Sequence, residues 1–263
     1  MSDASYPVTA VNRVKRMHER GSYDRAAVHA VFDASALCHI AWVVDGQPYC
    51  TPTMVWREDD RLYWHGSGAS RMLRAQSEGE PVCVTASCLD GLVLARSAFH
   101  HSVNYRSAMA YGRARAVDEP NEKARALVAM VDRLYPGRSA TLRSTTAQEL
   151  KATRVIGMTI EQASAKVRAA GVSDDEADYA LPVWAEVVPV RTVLGAPEPC
   201  PRLAAGAVRP DRLAGYREGA VSTKRWRTRM RRRSRSPARE RRGASARTRL
   251  VLRERSPIGG ARP

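Results

Sequence analysis

The chain has 263 residues, 44% of them hydrophobic, with 43 lysines and arginines against 27 aspartates and glutamates. That length supplies one large or two small cores, and the net charge of +16 suggests nucleic acid until it is divided. Residues 219–263 carry 16 basic and 2 acidic side chains, leaving 27 and 25 for residues 1–218, so the body is near neutral and excludes nothing by charge. Five cysteines with no Cys-x-x-Cys pair argue against a disulfide framework and against zinc, so no metal site is expected. No apolar leader opens the chain, and no apolar run reaches the length of a membrane span. The expectation is a cytoplasmic protein with no membrane partner.

In chain order, residues 1–22 read as a polar, irregular arm. Asp24 caps a helix that shows Val28, Val31 and Phe32 on one face. Residues 36–44 form a buried strand, Asp45-Gly46 a hairpin turn, and "QPYCTPTMVWRE" the returning strand, with Pro48 and Pro52 placing it at an edge or bulge. Asp59-Asp60 turn the chain into a third strand, "RLYWHG". A short helix ending at Gly79 follows, then a hairpin around Asp90-Gly91, then a long strand over 103–117 in which Gly112 marks a bulge. The next helix has Asp118 as its cap, Pro120 in its first turn, and Ala124, Leu127, Val128, Val131 and Leu134 on one face. Thr146 and Glu149 make a capping box. "TRVIGMTI" and "VWAEVVPVRTVL" read as the last strands. The sum is a mainly β protein with peripheral helices, an antiparallel barrel whose closure hides its edges.

Two segments carry polar chemistry. In "HGSGASRMLR", running from His65 and Gly66 to Arg74, glycines precede Ser70 and Arg71 at a helix start. Backbone N–H groups, the helix dipole and a forked guanidinium would suit a phosphate; an ordinary glycine turn with a serine cap and a solvated arginine fits equally. In "AFHHSVNYRS", His100, His101, Ser102, Asn104, Tyr105 and Arg106 fall within seven positions. So many donors are costly to bury unpaired, so the segment is either a solvated strand entry or faces a ligand. Adjacent histidines on an extended segment face opposite ways, which argues against one metal between them.

Taken together, "YDRAAVHAVFDASALCHIAWVVDGQPYCTPTMVWREDDRLYWHGSGASRMLRA", "GLVLARSAFHHSVNYRSAMAYGRAR", "SAKVR" and "DYALPVWAEVVPV" resemble the pyridoxamine 5′-phosphate oxidase family, in its flavin-nucleotide-binding branch near the nitroimidazole reductases. The resemblance implies a six-stranded antiparallel split β-barrel of Greek-key topology over residues 23–218, and a homodimer with FMN at the interface. It implies that Ser70 and Arg71 contact the FMN phosphate. Thr51, Pro52, Thr53 and Met54 would run beside the ring, and the segment from His100 to Arg106 would add contacts. Lys166 is a further polar candidate, and Trp184 packs either near the ring or in the core. It also implies an FMN-dependent oxidoreductase moving hydride through flavin N5, with a small-molecule substrate and a nicotinamide cofactor as candidate donor. His100 and His101 are the candidate proton donors. The alternatives are a non-catalytic flavin-binding or storage protein, and a split barrel that holds deazaflavin or haem. Met72 stands where pyridoxamine phosphate oxidases carry a lysine, and their Arg-x-His has no counterpart here. Vitamin B6 oxidation is therefore not implied.

Residues 219–263 hold 15 arginines and one lysine with little apolar content. Such a segment is expected to be disordered. It reads either as a nucleic-acid-binding arm, the one route to such a partner, or as an extension with no selected role.

Overall fold

In the computed structural model, which describes residues 4–208, Asp24 opens the first helix as predicted. Its carboxylate accepts from the Ala26 N–H at 2.7 Å, and Val28, Val31 and Phe32 are the buried side of α1 (Arg25–Ala34). Just before it, β1 (Gly21–Ser22) already belongs to the sheet. The arm ahead of β1 is packed rather than loose. Tyr6 is buried, and its hydroxyl donates to Asp60 Oδ1 at 2.9 Å and lies 2.9 Å from His29 Nε2. Arg25 caps the Tyr6 ring from 4.2 Å and pairs with Asp60. Burial, with the Asp60 carboxylate next, raises the Tyr6 pKa, so the hydroxyl stays a donor. Tyr6→Phe is expected to cost about 1 kcal/mol, read as a lower urea midpoint with an unchanged slope.

Asp45 and Gly46 both have positive φ (52° and 76°), the geometry whose twist suits a two-residue hairpin. They join β2 (Leu37–Val44) to β3 (Gln47–Met54). β4 (Trp56–Glu58) and β5 (Arg61–Ser67) form a second hairpin, and α2 (Arg71–Ala75) follows. The longest strands come next, β6 (Glu78–Leu94) and β7 (Ser102–Ala116). After α3 (Pro120–Leu134) and α4 (Ala147–Ala152), β8 (Thr153–Thr159), β9 (Gln162–Arg168) and β10 (Glu186–Pro189) complete the sheet. The strand order is β3-β2-β6-β7-β8-β5-β4, antiparallel throughout, with β9 on the first part of β7 and β10 on β6.

The barrel is filled unequally. β5 supplies Leu62 and Trp64, both fully buried, while β7 turns Ala108, Ala110 and Ala114 inward. Small side chains on one wall leave room for the large ones opposite. Each large apolar side chain contributes about 1.5–3 kcal/mol by leaving water. Trp64 keeps its indole satisfied by donating to Gln76 Oε1 at 3.0 Å.

Several expectations are corrected. Asp90-Gly91 does not turn a hairpin: β6 runs straight through it, with a register shift between Leu89 and Gly91. Gly91 lacks the positive φ that a tight turn needs, and Asp90 is occupied in a pair with Arg106. Gly112 sits opposite Val82 in regular pairing, with no bulge. α2 ends at Ala75, and Gly79 lies inside β6. α3 is capped by Glu119 rather than Asp118. Its barrel side is Ala126 with Leu127 and Met130, whereas Val128 and Leu134 are exposed. The polar anchor Glu122, which accepts from Tyr63 and Arg61, sets that rotation. β9 was not expected as a strand. The tail expected over 219–263 lies outside the described residues. No described helix is long and apolar enough to cross a membrane.

Candidate functional site

β3 and β5 lie toward opposite ends of the strand order, yet they approach each other, and α2 fills the corner between them. A cavity of about 430 Å³ opens there. Of the predicted residues, Thr51, Thr53, His65, Gly66, Ser70 and Arg71 line it. Pro52, between the two threonines, does not. Met54, at the strand's end, also falls outside the lining.

One wall is a stack. Trp42 and Tyr49 are register partners across the β2–β3 hairpin, with ring centroids 5.4 Å apart and planes 19° from parallel. The Arg71 guanidinium continues the stack, 4.6 Å from the Tyr49 centroid. Delocalised and planar, it is suited to such a position. It has no ion pair to any described residue. Trp42 and Tyr49 were missed from sequence, although counting outward from Asp45-Gly46 pairs them.

The turn itself behaves differently from the phosphate-cradle expectation. The Gly68 N–H donates to the Ala152 carbonyl at 3.1 Å, the Ala69 N–H to Ser67 Oγ at 3.2 Å, and the Ser70 N–H to the Ser67 carbonyl at 3.0 Å. These amides are spent within the protein. Ser70 Oγ accepts from the Leu73 N–H at 3.5 Å, the outer limit of a hydrogen bond, and its own proton is committed to no described residue. The Gly68, Ala69 and Ser70 amides are therefore closed to an anion, which would meet Arg71, the Ser70 hydroxyl and the first-turn amides of α2.

On the opposite wall, His65 stands edge-on to Trp56 at 5.8 Å. Its Nδ1 is buried and has no hydrogen-bond partner among the described residues. Burial lowers its pKa, which keeps the ring neutral at neutral pH.

The second predicted segment lies apart from this cavity. Asn104 is roughly 20 Å along β7 from the row that carries Thr51, three strands away. His100 Nε2 is 3.4 Å from Asp175, and His101 Nδ1 is 2.8 Å from the Ser97 carbonyl oxygen. Asn104 bridges Arg168 and the Ala170 backbone. Arg106 donates twice to Asp90, at 2.7 Å each. Ser102 is exposed at the start of β7, and Tyr105 is half-buried three residues on. Lys166 Nζ donates to the Arg16 carbonyl, tying the arm to β9. Trp184 is 62% exposed, which removes the core alternative. No group of three or more metal-ligating side chains occurs among the described residues, and all five cysteines are free.

An antiparallel split sheet with a polar cavity where its two margins meet defines the class. The family model described as pyridoxamine 5′-phosphate oxidase matches residues 24–167. The chain belongs to this family of flavin-binding split barrels. Among solved structures it is 43% identical to the flavocytochrome Anf3 from Azotobacter vinelandii, covering 80% of this chain and 98% of that one, with a TM-score of 0.75. It is 37% identical to the FAD and haem binding protein from Mycobacterium smegmatis, covering 76% and 98%, with a TM-score of 0.72. No curated protein matches the chain.

Proposed function

We propose that the cavity between β3 and β5 holds a flavin nucleotide, and that the chain is a redox protein working as a homodimer with haem as a second cofactor. The carrying observation is Arg71: a cation stacked on Tyr49 at the edge of an aromatic-walled cavity, with no carboxylate paired to it among the described residues. The residues fit the group. The Trp42–Tyr49 wall suits a flat ring, Thr51 and Thr53 offer hydroxyls to its polar edge, and the orphaned Nδ1 marks His65 as a group whose partner is missing.

A bound flavin supplies a carrier that accepts hydride and can release electrons one at a time. The chain's own part is to anchor and orient. Arg71 and Ser70 hold the phosphate end, and Tyr49 limits the Arg71 side chain to one direction. Neutral His65 presents a hydrogen-bonding ring nitrogen at neutral pH. FMN is the cofactor that the family resemblance implies; the FAD named for the M. smegmatis relative favours FAD. Leu37, Val43, Leu89 and Met109 are exposed side chains of the sheet, an apolar surface that a second copy would cover.

Haem is favoured by two relatives, a flavocytochrome and an FAD and haem binding protein, each aligned over 98% of its length. His101 would be the residue to hold the haem iron. Its Nδ1 proton is directed at the Ser97 carbonyl, which leaves the Nε2 lone pair, the arrangement metal-bound histidines use.

The purified full-length chain is expected to show flavin absorption together with a Soret band. Acid release identifies FAD or FMN, and bleaching by NADH or NADPH separates a catalyst from a flavin store. A colourless chain that binds neither added flavin nor haemin would overturn the reading. Arg71→Ala removes hydrogen bonds to a charged group, worth roughly 1.5–3 kcal/mol. Flavin affinity should fall by roughly 10- to 100-fold, as measured by fluorescence quenching.

A further inference from the structure

We propose that Arg74 forms with Arg71 a two-guanidinium clamp that selects the diphosphate of a flavin dinucleotide over the single phosphate of FMN. This rests on the flavin reading of the cavity and adds a determinant of which flavin it takes.

Positions three apart on a helix share a face, with about 5–6 Å between their Cβ atoms. In α2, Arg71 and Arg74 are the exposed pair, while Leu73 between them is fully buried and Met72 lines the cavity. Neither arginine has a side-chain hydrogen bond or ion pair to any described residue. That sets them apart from Arg25, Arg57, Arg61, Arg96 and Arg143, each matched to a carboxylate. No acidic residue occurs between Arg61 and Ser77. Glu149, on nearby α4, is engaged by Arg143. Arg154 on β8, by contrast, donates to Ser77 Oγ at 2.9 Å.

Two uncompensated guanidiniums one turn apart repel each other, and a ligand that separates its negative charge relieves this best. FMN concentrates its charge on one terminal phosphorus, which Arg71 with Ser70 can satisfy. A dinucleotide spreads its charge over two phosphates, each open to a forked donor. With the 68–70 amides spent, side chains and the first-turn amides of α2 meet the anion, and only the arginines bring full charge to it. Met72 supplies no cation beside Arg71, and Arg74 carries the second charge three residues further along α2.

The test uses the full-length chain, wild type against Arg74→Ala, Arg74→Gln and Arg74→Lys. The readouts are the FAD:FMN ratio released from purified protein and the Kd of each flavin by fluorescence titration, with a melting temperature for each variant. Arg74 is exposed, so the fold should tolerate all three. The clamp predicts that Arg74→Ala and Arg74→Gln weaken FAD by roughly tenfold or more. FMN should change by less than about threefold, and Arg74→Lys should recover part of the FAD affinity. Equal weakening of both flavins, or no change in either, overturns the clamp while leaving the flavin site standing. A wild-type chain that binds neither flavin overturns both.

Discussion

Replacing Asp90 with alanine is expected to lower stability by about 1.5–3 kcal/mol, the range for hydrogen bonds to a charged group, because the Asp90 side chain is itself 34% exposed. Asp90 accepts from both Nε and Nη2 of Arg106 at 2.7 Å. The arginine side chain is only 8% exposed, so alanine takes two charge-assisted hydrogen bonds from a mostly buried guanidinium. The Asp90 bond is the largest influence on Arg106, ahead of burial, and the net effect raises its pKa, so deprotonation offers no escape. The pair also pins the irregularity between Leu89 and Gly91, which lets a 17-residue strand bend without breaking. For a chain of this size, the loss corresponds to a melting temperature lower by roughly 3–12 °C. Arg106→Leu, which removes the charge instead of its partner, should cost less. If Asp90→Ala cost under about 1 kcal/mol in urea unfolding, water would have to reach the guanidinium and the buried pairing would be wrong.

The second large effect is expected at Gly112. A Cβ there would lie 2.3 Å from the Thr159 carbonyl oxygen and 2.9 Å from Met158 Cγ. The backbone oxygen cannot rotate away, so β7 or the β8–β9 turn must shift. Here β7 changes partners: residues 105–111 pair with β9 and residues 114–116 with β8. The turn between those two strands rests on this point, the Glu161 N–H donating to the Tyr111 carbonyl at 3.0 Å. Gly112→Ala should therefore cost about 3 kcal/mol, at the upper end of overpacking effects, with Gly112→Val failing to fold. A melting temperature within a degree or two of wild type would refute the close approach.

Much of the fold was legible because the signals were local. Asp24, Thr146 with Glu149, and Asp45-Gly46 each state their role within four residues, and each acts as predicted. Asp90-Gly91 has the same turn chemistry, but a pairing with Arg106 across the neighbouring strand overrides it, and nothing near residue 90 announces that. Gly112 was noticed for the wrong reason, since the atom it makes room for lies 47 positions downstream. The cavity divides in the same way. Ser70 and Arg71 stood out as residue types, whereas Trp42 and Tyr49 needed the hairpin register, and Arg74 needed a helix whose other residues point inward. The Gly68 amide is spent on Ala152 of α4, far along the chain, a contact that nothing near the turn announces.

The pairing of β5 with β8 sets Arg61 opposite Thr159, which has a kinetic consequence. At about 5–20 residues per second, a ribosome needs roughly 5–20 s to deliver β8 after β5 has emerged. During that interval β5 presents an unsatisfied edge beside Leu62 and Trp64, two side chains that the finished barrel buries completely. A topology dominated by such distant pairs folds in milliseconds to seconds once complete, so the wait for synthesis outlasts the search itself. Aggregation of this protein during expression should therefore depend on elongation rate and temperature more than on the stability of the folded state.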